Sequence, residues 1–170
     1  MKKLTKISAI AILMIGASLS TFAQASATAT ASATIITPIA ITKTVDMNFG
    51  TAAVQAGTGG TIVLTPAGTR TVTGGVTLPS VTGTVTAASF SVTGEGTSTY
   101  SITLPGGPLT ITSGINTMTV STFTSTPTPT GTLTAGAQTL LVGGTLNVAA
   151  AQAPGTYLSG TPFTVTVNYN

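Results

Sequence analysis

Asp46 and Glu95 are the only side-chain carboxylates in this chain of 170 residues. A glycosidase-type reaction needs two such groups facing each other across the bond to be cut. Here one acid stands in an alternating run, "TKTVDMNFG", and the other in a turn-like stretch, "TGEGT". The sequence has no His, Cys or Trp, so the usual imidazole base, thiolate nucleophile and soft metal ligands are missing. Asp46-x-Asn48 is too sparse for calcium, which takes ~6–8 oxygen ligands. Ser and Thr are abundant, but a hydroxyl nucleophile needs a base beside it, and no Ser-x-x precedes Lys43. The Gly-rich "GTGGTIVL" at 57–64 lacks the following Lys and helix of a phosphate loop and reads as a hairpin turn. Tyr100, Tyr157 and Tyr169 could stack on sugars, yet without Trp they are better read as packing residues. The expectation is a protein that is not an enzyme, with no cofactor and no metal. Its two acids should be solvated and paired with Lys43 or Arg70.

The amino end reads as an address. Lys2, Lys3 and Lys6 precede the apolar run "ISAIAILMIGASLSTFA", the basic, apolar, small-residue order of a secretory signal peptide over residues 1–25. Cleavage after Ala23, Ala25 or Ala27 each satisfies a small-x-small rule. The run is short of the ~20 apolar residues of a membrane span, and no stable span is expected after cleavage. Three of the five basic residues leave with the leader, and Lys43, Arg70, Asp46 and Glu95 remain, so the mature formal charge is zero. No basic patch is left for nucleic acid or acidic lipid, and a surface near neutrality favours association. The chain carries no Cys although an exported protein could form disulfides. About 145 mature residues make one domain with enough apolar side chains for one core.

Nothing after the leader reads as a long helix. β-Branched Thr and Val favour strands, and Gly or Pro punctuates them every few residues. Candidate strands are 35–49, 61–65, 69–73, 81–86, 88–93, 99–104, 109–112, 116–123, 131–135, 138–142, 145–149 and 161–169, with "PAG", "GEG", "LPGG" and "VGG" as turns. "TSTPTPTG" at 124–131 is the clearest loop, because proline cannot donate to a ladder. "LNVAAAQAPG" at 146–155 fits a short helix or an extended arm equally well. The spacing predicts an all-β fold, a single sandwich or barrel-like domain over 39–170 with Greek-key connections. Thr-x-Thr recurs at irregular intervals, which places Thr on outward strand faces rather than on a solenoid repeat.

Both ends alternate with period two. In "ASATATASATIITPIAITKTVDMNFG", residues 25–50, Ala29, Ala31, Ala33, Ile35, Ile39 and Ile41 share one face. The run is too long for one strand, so residues 26–38 are expected to form an extended segment able to donate a strand. At the carboxyl end Phe163, Val165, Val167 and Tyr169 share one face of the closing strand and are expected to form an interface there. A neighbour for that strand must come from earlier in the chain or from another molecule, which is the geometry of strand addition.

"MNFGTA" at 47–52, "TPAGTRTVTGGV" at 65–76, "AASFSVTGEG" at 87–96, "YSITLP" at 100–105, "VGGTLNV" at 142–148, "PGTY" and the closing "PFTVTVNY" resemble, in order and spacing, the domain-of-unknown-function family 4402 of secreted bacterial proteins. More loosely, Phe49-Gly50 and Tyr169 are similar to positions in spore coat protein U and chaperone–usher pilin domains. That resemblance implies a single immunoglobulin-like (Greek-key) β-sandwich over 39–170, a periplasmic chaperone and an outer-membrane usher as partners, and polymerisation through lent amino-terminal strands. The chain lacks the Cys residues for the disulfide common in that group. The expected function is a secreted, non-enzymatic structural subunit of a surface fibre, pilus-like appendage or coat. The alternative is a monomeric cell-surface module that binds carbohydrate or ice.

Overall fold

Turn residues cut the Thr- and Val-rich chain into short strands, and long-range ladders reassemble them. The structure, a computed structural model, describes residues 24–170. The leader expected at 1–25 therefore lies almost wholly outside the described residues. The chain divides into two units after Thr34, and residues 24–34, the described part of the first, have no regular secondary structure and every side chain exposed. Residues 35–170 form the other unit, an all-β sandwich of curled sheets.

Its strands are β1 (Ala40–Val45), β2 (Asn48–Phe49), β3 (Ala53–Val54), β4 (Gly60–Leu64), β5 (Arg70–Gly74), β6 (Val76–Thr77) and β7 (Val85–Thr86). They continue as β8 (Ala88–Thr93), β9 (Thr99–Thr103), β10 (Leu109–Ser113), β11 (Asn116–Thr126), β12 (Thr130–Thr132), β13 (Ala137–Val148) and β14 (Thr166–Tyr169). The large sheet runs β1-β8-β13-β11-β10, with β4 on β13 and β5 on β4. A three-stranded sheet runs β12-β9-β14, and β2-β7 and β3-β6 form two small ribbons.

The largest departure from the expected strand map is β13. "VGG" is not a turn: residues 138–142 and 145–149, expected as two strands, are joined in one strand of 12 residues. Its first half pairs with β8, its second half pairs with β4, and β11 lies along its other edge. Gly143 stands where one neighbour gives way to the other. A Cβ there would collide with the Leu64 carbonyl oxygen and the Thr65–Pro66 backbone, so a side chain is excluded by the close approach. Even-numbered residues of β13 face inward on both sides of that point. Leu140 and Val142 enter a cluster with Val92, Tyr100, Leu133 and Val167, while Leu146 joins Phe49, Ile62, Leu64 and Val120 in a second. Met47 and Phe123 pack against both clusters.

The strand β11 also runs further than its composition implied. The β11–β13 register shifts between Ser121 and Thr124, and Thr122 sits at φ 50°. The extra residue of this bulge changes which parity faces inward. Val120 points in before it, and Phe123 and Ser125 point in after it. Residues 124–126, expected to be loop, therefore stay in the sheet, and only residues 127–129 separate β11 from β12. At the other ambiguous stretch, β13 continues through Val148 and the chain turns at residues 150–151 with Ala151 at φ 51°. No helix forms among the described residues.

Tyr100 anchors the three-stranded sheet. It is fully buried, and its hydroxyl donates to Gln138 Oε1 at 2.7 Å. Its β12 neighbour in register is Gly131, where a Cβ would strike the Tyr100 ring. Burial raises the phenol above its ordinary value of 10.0, because the phenolate would lose its hydration.

Two outcomes follow for stability. Replacing Gly143 with Ala is expected to cost about 1–3 kcal/mol through overpacking, read as a fall in the urea midpoint without a change in m. For Tyr100 the folded state holds its proton more tightly than the unfolded chain. Its contribution is thus complete below pH 10 and is lost as pH rises through the raised folded value. Tyr100→Phe should flatten that alkaline fall and cost about 1 kcal/mol at neutral pH for the lost hydrogen bond.

Candidate assembly site

The amino-terminal alternation outlasts its partner. Pairing of β1 with β8 begins at Ala40↔Thr93, and β8 ends there. Ile39 and Ile41 turn inward and pack on the first core cluster. They therefore serve the domain's own sheet, and only the residues before Thr37 are free of it. Residues 24–38 are exposed throughout, and Ile35 and Ile36 are 93% and 51% exposed, unusual for side chains of this size. Ala29, Ala31 and Ala33 share the face of Ile35 if the segment is extended.

The root of this arm is held by Glu95, expected as a solvated turn acid, and by Tyr169, expected on the interface face of the closing strand. Thr37 N–H donates to Glu95 Oε2 at 3.2 Å. The Tyr169 hydroxyl donates to the Thr37 carbonyl oxygen at 2.8 Å and accepts the Glu95 N–H at 2.7 Å. Gly94 lets the ring reach that position, since a Cβ there would overlap the Tyr169 hydroxyl. Glu95 is thus a clamp rather than a solvated turn acid. No local signal joins positions 37, 95 and 169; the contact exists only because β14 lies beside β9 at the end of the sandwich.

The closing strand presents its backbone rather than its side chains. Phe163, Val165, Val167 and Tyr169, the face expected to form an interface, all turn into the first core cluster. Before it joins β9 at Thr166↔Thr103, the chain is tied to β10 only through Leu158↔Thr112. Residues 159–164 between those ties have no strand partner. Among the described residues the outer edge of β1 likewise has no strand partner. The two flank an open cavity of about 320 Å³, lined by Met47, Phe49, Phe90, Ile111, Val120 and Phe163 among others, with Lys43 and Asp46 at its rim. Phe163 forms one wall, with Phe90 edge-on at 6.3 Å and Phe123 tilted against it at 5.1 Å between ring centres.

The remaining polar residues are occupied. Lys43 Nζ meets Asp46 Oδ1 at 2.7 Å as an exposed pair worth little stability. Arg70 donates to the Phe49 carbonyl and, at 3.1 Å, to that of Thr51. Asp46 and Glu95 lie past opposite ends of β1, more than about 20 Å apart by strand rise, so they do not face one bond as a catalytic pair. Tyr157 donates to the Ala153 carbonyl at 2.7 Å and accepts from Gln152 at 2.8 Å, leaving no tyrosine hydroxyl uncommitted. Outward Thr residues form cross-strand rows, as in Thr110–Thr119–Asn147–Thr61–Thr73. Within it the Thr61 and Thr73 hydroxyls bond at 2.8 Å. Among the described residues no helix is long and apolar enough to cross a membrane.

Tyr169→Phe is expected to free Thr37. Amide exchange at Thr37 and Glu95 should accelerate, with a loss of about 1–2 kcal/mol of stability from the two hydrogen bonds. Glu95→Gln keeps an acceptor for Thr37 N–H and should leave most of that protection in place.

No curated protein and no solved structure matches the chain. Residues 39–169 match the family model described as Domain of unknown function (DUF4402). The match begins at Ile39, the first side chain to enter the core, and ends at the clamping Tyr169. With every strand of the sandwich inside the match, the chain belongs to the DUF4402 family.

Proposed function

We propose that this protein is a secreted, non-enzymatic structural subunit of a bacterial surface fibre, pilus-like appendage or coat, and that it assembles by lending a strand from residues 26–36 to a neighbour. The observation that carries this reading is the exposed arm. It keeps a strand's alternation, has no partner in its own sheet, and holds two large apolar side chains, Ile35 and Ile36, in water. A surface patch of that kind is costly for a monomer and useful for an assembly. The scarcity of charge supports the same view, since only four charged side chains follow the leader in the sequence and two of them pair with each other. Export through the periplasm, with a chaperone and an outer-membrane usher as partners, belongs to this proposal.

Strand lending makes a direct prediction. Deleting residues 26–34 from the mature protein should leave a folded monomer with nearly unchanged thermal stability and abolish higher assemblies in sizing and negative-stain microscopy. Fibres that persist without the arm would end this reading.

A further inference from the structure

The two core clusters are roofed in different ways. Tyr100 of β9 and Val165 and Val167 of the closing segment belong to the first. The second contains no residue of β9, β12 or β14. Its floor is the inner face of the large sheet, where Leu146 stands opposite Ile62 and Ile111 opposite Met118. Residues 48–54 and 152–158 stand over that floor, and an open cavity of about 780 Å³ lies between. Protein interiors are normally close-packed. At ~30 Å³ per water this hollow holds roughly 25 molecules, and its volume lies within the ~300–1,000 Å³ of small-molecule sites.

Polar ties keep the roof in place. Asn48 Oδ1 accepts the Gly50 N–H at 2.8 Å, and Thr51 N–H donates to the Thr82 carbonyl oxygen at 2.8 Å. Arg70 donates to the Phe49 and Thr51 carbonyls of the same stretch and does not itself line the cavity. In the second stretch Gln152 Nε2 donates to the Thr117 carbonyl oxygen at 3.2 Å and to the Tyr157 hydroxyl at 2.8 Å. The Tyr157 hydroxyl donates to the Ala153 carbonyl oxygen at 2.7 Å, and Leu158 pairs with Thr112. Ala151 N–H donates to the Gln55 carbonyl oxygen at 3.2 Å and joins the two stretches at one end. Apolar collapse onto the floor would have to break these bonds, so the space is framed rather than merely left over.

The lining determines what fits. No residue around the cavity carries a charge, so an ionic ligand would lose its hydration there without a counter-charge. Ile62, Ile111, Met118, Leu146 and Val148 make the floor aliphatic. The polar groups are neutral and belong to the roof. A carbonyl oxygen can only accept, so the contact with Thr117 identifies Nε2 as the bonded end of the Gln152 amide. Among the described residues Gln152 Oε1 has no hydrogen-bond partner, which leaves one acceptor at the cavity.

We infer that this cavity binds an uncharged, mainly aliphatic small molecule with a hydroxyl or similar donor at one end. Its body lies on the Ile111–Met118 floor and its donor meets Gln152 Oε1. Neither the arm nor β1 lines the cavity, so the site stands apart from strand lending and does not depend on it.

The mature protein is titrated with N-phenylnaphthylamine, a neutral dye that brightens in apolar surroundings. The dye is then displaced with decanol, decyl methyl ether, decanoate, decylammonium or maltotriose, each below any micellar concentration. Saturation at one dye per chain is expected. Decanol should displace it at a concentration about tenfold or more below those of the two ions, with the ether, which lacks the donor, in between and the sugar without effect. Met118→Trp puts a larger side chain into the space and should abolish dye binding with the circular dichroism spectrum unchanged. Val148→Phe makes the same test if the first variant does not fold. Deleting residues 26–34 should leave the dye affinity as it is. Unsaturable dye binding, binding that survives in a folded filled variant, or binding lost with the arm would overturn the site. Ions or sugar that displace the dye as well as decanol does would overturn the ligand class, and an ether equal to decanol would overturn the role of Gln152.

Discussion

The β13 ladder must satisfy three neighbours at once, and the rest of the sandwich is arranged around that demand. A strand of 12 residues has β11 along one edge and, on the other, β8 followed by β4. Such a handover is possible only where the backbone of the departing neighbour's successor can come close, and Gly143 is that place. Two core clusters share one spine as a result, and the chain needs no disulfide to couple them. Backbone hydrogen bonds are individually modest in net worth, but an interrupted β13 would expose donors and acceptors on three strands together.

The bulge in β11 is the second device with distant consequences. By changing parity at Thr122 it turns Phe123 inward against Phe163. Phe163 in turn walls the opening beside β1. A non-Gly residue at positive φ costs on the order of 1–2 kcal/mol, which the sheet and aromatic contacts around it offset. The apolar wall at the sandwich's open edge therefore depends on a local irregularity two strands away.

Edges give the molecule its character. Most sheet proteins blunt exposed edges with charge, proline or cover. Here the outer edge of β1 carries one Lys, paired to Asp46, and the segment facing it carries none. The same chain has an uncharged arm whose root is pinned by Glu95 and Tyr169.

Much of this was legible in the residues. Thr and Val frequency, Gly and Pro punctuation and period-two alternation determine an all-β chain. Parity alone groups the side chains of β1 and of the closing segment by face, but it does not tell that the closing face, expected as an interface, turns into the core. The opening and closing motifs place the domain in its family between Ile39 and Tyr169. The sparse acids and the missing His and Cys bound the chemistry, because no spacing can supply a group that is absent. Other features depended on contacts across tens of residues. "VGG" looks like a turn until the β4–β5 connection packs on Gly143, and Thr122 carries no sign of a bulge in its own type. Glu95 looks like a turn acid until β14 brings Tyr169 over Gly94. Local periodicity decides which face of a strand is apolar, but only the tertiary ladder decides which edge is left without a neighbour.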